Sequence, residues 1–191
     1  DQVIFEGNLT VVSSHKIVIG SNTLLKDVVF IAPEIEIMDD VKGEFQCLAT
    51  QSIQVGKQVE LEYPSNLMLL ESKENGSGGL LEIEEGSTIQ GAVMILTEKE
   101  PRISKSSPQM RIKKNVKVEG IIYTPYRVTL SPHIQVNGSM YCKETELKTP
   151  SAVYTNHLLD CQITPSALNK AFISTHSSTN DKNQKMIKWL N

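Results

Sequence analysis

The sequence is poor in aromatic side chains and carries no strong charge of either sign. Phe, Trp and Tyr make up 5% of its 191 residues, and Trp occurs once, at Trp189. The formal net charge at pH 7 is −3, so the chain lacks the basic field that attracts nucleic acid. It also lacks a run of about 18 apolar residues, and we therefore expect no membrane span in this chain.

Cysteine is scarce, and its spacing does not suggest a metal site. Cys47, Cys142 and Cys161 are far apart, without a CxxC or Cys/His pattern, so we expect no structural zinc. We expect three buried thiols. The alternative is that Cys142 and Cys161 are neighbours in successive repeats, which leaves open whether they are bonded.

The chain begins at Asp1 rather than Met, and an upstream signal or anchor segment is an open alternative. We expect the cell envelope or the extracellular space in preference to the cytoplasm. Recognised catalytic motifs are also missing, since no GxSxG, HExxH, Walker or dinucleotide-binding pattern occurs. The four histidines are scattered, without a nucleophile at a suitable spacing. We therefore predict a protein that is not an enzyme, with no catalytic, metal or cofactor site.

An 18-residue repeat runs through the sequence. The stretch from Val118 to Tyr123, VEGIIY, returns 18 residues later as VNGSMY. Apolar pairs spaced by two residues recur at intervals of 18, 18, 28, 29 and 18, and they begin at Ile17, Ile35, Ile53, Leu81, Met110 and Val128. A spacing of two places both side chains on one side of an extended strand, whereas a helix requires spacings of three and four.

Each unit divides further into three steps of six residues, which indicates three short strands per unit. We predict an all-β fold, a single-stranded right-handed parallel β-helix of triangular cross-section over residues 1–165. It would have about 18 residues per coil and roughly seven coils, stacked about 4.8 Å apart. An antiparallel sandwich would require hairpin turns every 8–12 residues, and these are not found.

Glycine recurs where the strands would bend. The bends are predicted at Gly43, Gly91, Gly120 and Gly138, with Asp27 at the same phase in the first unit. Glycine and Asp tolerate the positive φ angles that sharp bends use. None of these glycines opens a helix, so none suggests a phosphate-binding loop.

The Val-x-Gly-x-apolar bends, the period and the phrase LEIEEGSTIQGAVMI resemble the bactofilins, bacterial β-helical proteins that polymerise end to end into cytoskeletal filaments. The resemblance covers about Ile17 to Cys142. It implies a right-handed solenoid without a catalytic site. The left-handed hexapeptide-repeat acyltransferases share the 18-residue coil, so the handedness stays open, although the paired apolar residues favour the right-handed form.

Two insertions, at 68–80 and 96–109, interrupt the repeat. Both follow the third strand of a unit, so we expect them to leave the same corner and to lie side by side. Protruding loops on a rigid scaffold often bind partners. The candidate loop surface comprises Glu71, Lys73, Glu98, Lys99 and Arg102. Its mixed charge argues against a dedicated phosphate or metal pocket.

The third strands carry apolar residues where the alternation predicts exposed ones. An apolar face of this length needs a cover. We expect a short helix from Ser166 and a tail, together residues 166–191, to pack on the third face or over the C-terminal end. The alternative is that a partner or a second copy docks there. The candidate interaction surface comprises Phe30, Leu48, Met94, Tyr123, Tyr141 and Trp189.

These features predict a structural or interaction module, a bactofilin-like scaffold that presents loops or assembles with partners. We expect a protein partner or self-association and no nucleic acid. The alternative is a carbohydrate-binding or carbohydrate-active β-helix at the cell envelope. A concave groove lined by three or more charged side chains on adjacent coils would favour that alternative.

Overall fold

Interior and surface side chains alternate along most of the chain, as in β-strands. The structure is a computed structural model that describes residues 3–21, 23–71, 78–98, 100–149 and 151–165. In these ranges the regular structure is all β, without an α-helix. Accordingly, the described part contains no helix that could cross a membrane. The predicted C-terminal helix and tail, residues 166–191, lie outside the described residues.

Twelve strands occur in the described ranges, and their pairings are parallel except for that of β10 with β11. The strands are β1 Val3–Val12, β2 Lys16–Ile19, β3 Thr23–Ile37, β4 Lys42–Val55, β5 Glu60–Glu71, β6 Leu80–Ile83, β7 Thr88–Thr97, β8 Gln109–Ile112, β9 Lys117–Leu130, β10 Ile134–Lys148, β11 Val153–Thr155 and β12 Cys161–Ile163. Parallel neighbours of this kind require long connections, which the chain supplies by returning to each position one repeat later.

The sequence repeat corresponds to the strand pairing. Ile17 pairs with Ile35, and Ile35 pairs with Ile53. The column continues across both insertions to Val128, through the pairs formed by β4, β6, β8 and β9. Residues one repeat apart are therefore neighbours in the sheet, as the period predicts.

Six strands are connected in a closed ring of parallel pairings, in the order β4, β5, β7, β9, β8 and β6. The ring closes because long strands bend and change partners. In β4, Lys42–Ala49 pair with β5, whereas Ser52–Val55 pair with β6. The prediction of an all-β parallel architecture is confirmed at this level.

The interior of the ring is one continuous hydrophobic cluster. Its residues come from every side, and Ile53, Leu67 and Val118 are fully buried. Complete burial of such a side chain stabilises the fold by about 1.5–3 kcal/mol. The buried Ser87 hydroxyl donates to the Gly56 carbonyl at 2.9 Å and accepts from the Val59 N–H at 3.1 Å, so this polar group is satisfied in the interior.

Three of the predicted glycine bends lie at paired positions in neighbouring strands. Gly91 pairs with Gly120, and Gly120 pairs with Gly138, with φ between +148° and +152°. The prediction for Gly43 is wrong, because Gly43 pairs with Leu25 and Leu61 instead. The pairing register shifts at this bend, and Gly43 lies before the shift. Gly43 is therefore not part of the bend.

The strands continue beyond the predicted starts of the two insertions. β5 and β7 stay paired as far as Glu71 and Thr97, so positions 68 and 96 are strand residues. The two segments leave the sheet from this last pair and return at paired strands β6 and β8. Residues 72–77 and 99 lie outside the described ranges.

Candidate interaction surface

The outer sides of the strands differ in polarity from one side of the molecule to another. Two outward columns carry mostly polar residues, whose charges pair between neighbouring strands. One contains Glu36, Gln54, Glu82 and Arg111, and the other contains Lys42, Glu60, Thr88 and Lys117. Lys42 Nζ lies 2.9 Å from Glu60 Oε1, and Arg111 Nη1 lies 3.7 Å from Glu82 Oε1. Exposed pairs of this kind contribute about 0–1 kcal/mol each. These columns suit contact with water.

A third outward column is apolar along its whole length. Each residue in it pairs with the next across neighbouring strands from β3 to β10. We call this set the apolar column: Ile31, Leu48, Met68, Met94, Tyr123 and Tyr141.

The structure corrects the predicted membership of this surface. Phe30 pairs with Cys47 and is only 5% exposed, inside the hydrophobic core. The cause is a bulge at Asp27, which has φ +54° and adds one residue before the strand reaches this side. One extra residue reverses the alternation, so Ile31 takes the outward position.

A second register shift brings Met68 into the apolar column. Leu48 pairs with Met68, which pairs with Met94. Asn66, the polar residue that the sequence pattern places there, pairs with Gln46 and belongs to the preceding column. The column is therefore more uniformly apolar than the sequence pattern predicts.

Exposure varies along this side of the molecule. Tyr141 is 51% exposed, whereas Met94 is 9% exposed. Beside Met94, Ala92 and Ile121 are also buried, although all three lie outside the central core cluster. The middle of this side is thus shielded from solvent. Trp189, also predicted to belong here, lies outside the described residues.

The structure describes three of the five residues of the predicted loop surface, Glu71, Glu98 and Arg102. Glu71 belongs to β5 and accepts a hydrogen bond from the Tyr126 hydroxyl. Burial, reinforced by this carboxylate, raises the pKa of Tyr126. Arg102 lies 3.5 Å from Glu100, and both side chains are exposed. Glu98 is exposed, and Lys73 and Lys99 lie outside the described residues.

A charged groove opens between the second insertion and the ends of β9 and β10. Its volume is about 220 Å³, and its lining includes Lys105, Arg127, Thr129, Glu146 and Lys148. The Glu146 carboxylate accepts hydrogen bonds from Arg127 at 2.9 Å and from Thr129 at 3.3 Å, and Lys148 Nζ lies 2.9 Å from it. We call this site the basic groove.

Arg127 also contacts the Glu144 carboxylate, so Lys105, Arg127 and Lys148 face two carboxylates, Glu144 and Glu146, and the basic groove keeps an excess of one positive charge. Burial tends to raise the pKa of Glu146, but Lys148, Arg127 and Thr129 together hold that pKa below its usual value. The carboxylate is therefore ionised at neutral pH and orients the cations. Sequence reasoning missed this site, although Arg127 and Glu146 are about one repeat apart and on the outer side of their strands.

At both ends of the described fold, apolar residues that pair with core residues are themselves exposed. Phe5 and Leu9 pair with the buried Leu25 and Val28, yet both are exposed at the β1 end. Ile163 pairs with the buried Val136 and is exposed at the β12 end. Further large apolar side chains are exposed near these ends: Ile4, Val12, Val153, Tyr154, Leu158 and Leu159.

The cysteines and histidines do not form a reactive cluster in the described ranges. All three cysteines are free, and Cys142 and Cys161 pair with Thr124 and Ile134 rather than with each other. Burial raises the pKa of each thiol, which disfavours the nucleophilic thiolate. His133 Nδ1 lies 3.9 Å from an oxygen of Asp160, at an exposed turn. No group of three or more metal-ligating side chains occurs in the part that is described.

Comparison with known proteins gives no match. The sequence matches no family model, and neither the curated proteins nor the solved structures contain a significant relative of it. Functional reasoning therefore depends on the residues of this chain and on their geometry.

Proposed function

We propose that the ring of parallel strands is one continuous single-stranded, right-handed β-helix of triangular cross-section, similar to a bactofilin solenoid. Pairing at the distance of one repeat, interrupted by two insertions, supports this interpretation. So does the way in which β4, β9 and β10 bend and change partners. On this reading the first and last strands occupy the two ends of a rod of stacked coils.

We further propose that the chain is a non-enzymatic structural module that associates end to end with copies of itself. The observation that carries this proposal is the exposure, at both ends, of apolar residues that pair with buried core residues. A second copy stacked in the same direction would cover Phe5 and Leu9 with the β12 end of its neighbour. It would also extend the parallel ladder at the edge of β1 that no described strand pairs with. Such a head-to-tail contact does not close on itself and produces an open filament.

The energy available at such a contact is sufficient for concentration-dependent association. Complete burial of a large apolar side chain contributes about 1.5–3 kcal/mol. Several of them are exposed at each end, and together they can offset an association cost of about 4–15 kcal/mol. Electrostatic attraction is not required, because the net charge is small.

Light scattering and electron microscopy of the full chain over a wide concentration range test this function. We expect the scattering mass to rise with concentration and short rods or filaments to form. Leu9→Lys places a charge in the proposed contact and should raise the concentration needed by about tenfold or more. Val18→Lys is the matched control, because Val18 is an exposed outward residue near the same end.

A wild-type chain that stays monomeric at every concentration would reject end-to-end association. Equal effects of Leu9→Lys and Val18→Lys would reject the end as the contact. Circular dichroism of both variants separates a lost contact from a lost fold.

The basic groove favours a second candidate function, the binding of acidic carbohydrate. Lys105, Arg127 and Lys148 converge there from a loop and two adjacent strands, and Ser104, Ser107 and Thr129 add hydroxyl groups. Calorimetric titration of the full chain with an acidic oligosaccharide tests it. Binding weakened by Lys105→Gln but not by Lys114→Gln, which lies at a different turn, would support this candidate. An absence of heat in the wild-type chain would reject it.

A further inference from the structure

The described chain ends at the bend that leads into the apolar column. In β12, Ile163 pairs with Val136, and the Thr164 N–H donates to the Val136 carbonyl at 2.8 Å. The Gly138 N–H in turn donates to the Thr164 carbonyl at 3.1 Å. Gly138 is the bend from which β10 continues to Tyr141. The chain after Pro165 therefore starts at the edge of this side of the molecule.

The burial of Ile121 indicates a further layer over the same side. Ile121 is 6% exposed and lies outside the core, because the adjacent Ile122 takes the inward position. Its neighbours across the sheet are Ala92 and Ser139, whose side chains are too small to shield it. Its low exposure therefore points to atoms that lie over the outer side of the sheet.

The chain after Pro165 is long enough to span the whole apolar column. Five strand-to-strand steps separate Tyr141 from Ile31, which correspond to roughly 24 Å at about 4.8 Å per step. Residues 166–191 would span roughly 39 Å as a helix and more if extended. They also include apolar residues that have no place in the 18-residue repeat: Phe172, Ile173, Met186, Ile187, Trp189 and Leu190.

We propose that residues 166–191 lie along the apolar column and cover it, starting at Tyr141 and running toward Ile31. A segment of the same chain has an advantage over a second copy, because a short connection gives it an effective concentration in the millimolar range. Its apolar side chains would seat on Leu48, Met68 and Met94. The contact removes apolar surface from water on both partners.

This inference is independent of end-to-end association. The cover concerns the outer side of the sheet, whereas end-to-end association uses Phe5 and Leu9, which pair with core residues at the β1 end. The fluorescence of Trp189 tests the cover, and the scattering mass tests end-to-end association. Either test can therefore fail without the other.

Fluorescence of Trp189, the only Trp of the chain, tests the cover directly. In the full wild-type chain, we expect blue-shifted emission and weak quenching by acrylamide, both independent of concentration. Leu48→Glu places a charge in the apolar column, and the quenching constant should rise several-fold. Leu24→Glu is the matched control, because Leu24 is an exposed outward residue of a different column and should leave the quenching unchanged.

Tyr141→Glu is a second variant in case Leu48→Glu does not fold, since Tyr141 is already half exposed. It should also increase the quenching of Trp189. Wild-type emission typical of a Trp in water would overturn the proposal. Protection of Trp189 from acrylamide that appears only at high concentration would also overturn it, because a second copy would then be the cover. Quenching that responds to Leu159→Glu but not to Leu48→Glu or Tyr141→Glu would place the segment over the C-terminal end instead.

Discussion

At the residue scale, two carboxylates on the outside of the strands have opposite environments. Glu146 is surrounded by cations and a hydroxyl, which hold its pKa below the usual value. Glu44 is partly buried near Asp27, and desolvation followed by repulsion and hydrogen bonding with Asp27 raises its pKa. The two groups should therefore respond to pH in opposite ways.

For Glu44, the raised pKa predicts that ionisation destabilises the fold. The stability associated with its protonated form is fully present below the usual pKa of 4.5 and is lost as pH rises through the higher folded-state pKa. Glu44→Gln should therefore raise the thermal midpoint at neutral pH, and the difference from wild type should disappear below about pH 4. Thermal unfolding at neutral pH and below about pH 4, followed by circular dichroism, measures the difference in thermal midpoint.

Glu100→Gln is the control for Glu44→Gln, because Glu100 is almost fully exposed. It should show little change at either pH. A lower midpoint for Glu44→Gln at neutral pH would mean that the Glu44 carboxylate stabilises the fold, which would contradict the argument from desolvation.

At the scale of the strand element, the bends decide which residues face outward. Gly91, Gly120 and Gly138 are stacked with positive φ, a conformation that side chains with a Cβ rarely adopt. A Cβ at Gly91 would lie 1.6 Å from the Ser65 carbonyl oxygen, and a Cβ at Gly138 would lie 1.9 Å from the Gly120 carbonyl oxygen. Backbone atoms surround both positions, so neither has room to adjust.

Gly91→Ala should therefore destabilise the protein by at least about 3 kcal/mol, from backbone strain together with the overlap with Ser65. Urea unfolding followed by circular dichroism measures the loss. Gly20→Ala is the matched control, since a Cβ there has no neighbour within 4 Å. It should change stability by less than about 1 kcal/mol. Equal effects of the two substitutions would show that the stacked bend does not require glycine.

The bends also show where sequence reasoning reaches its limit. Phe30 and Ile31 are both large and apolar, so hydrophobic alternation cannot tell which of them faces the core. Because of the one-residue bulge at Asp27, Phe30 faces the core and Ile31 faces outward. The preference of Asp for turns was visible in the sequence, but the resulting shift in alternation was not.

At the scale of the whole molecule, stability depends on how many neighbours each strand has. β4 and β9 pair with strands on both sides, whereas the described pairing of β1 is with β3 alone. In the proposed β-helix each coil would be held chiefly by its immediate neighbours. The ends should therefore open more readily than the middle.

Native-state hydrogen exchange should show this gradient. We expect amides of β5, β7 and β9 to exchange most slowly and amides of β1 and β12 to exchange fastest, each measured by NMR or mass spectrometry. Dilute protein is the reference condition. If copies associate end to end, protection of β1 and β12 should increase with concentration while that of β7 stays unchanged. Uniform protection along the chain in dilute solution would contradict a layered fold.

The sequence by itself determined the parallel repeat, the core columns from Ile17 to Val128 and the polarity of two outer columns. Each follows from a local periodicity, because side chains of a strand alternate and residues one repeat apart meet in the sheet. Only the tertiary structure decided the membership of the apolar column, the ionic contacts of the basic groove and the exposure of Phe5 and Leu9. These features depend on register and on which strands have neighbours, and a bulge of one residue alters the register without changing the hydrophobic pattern.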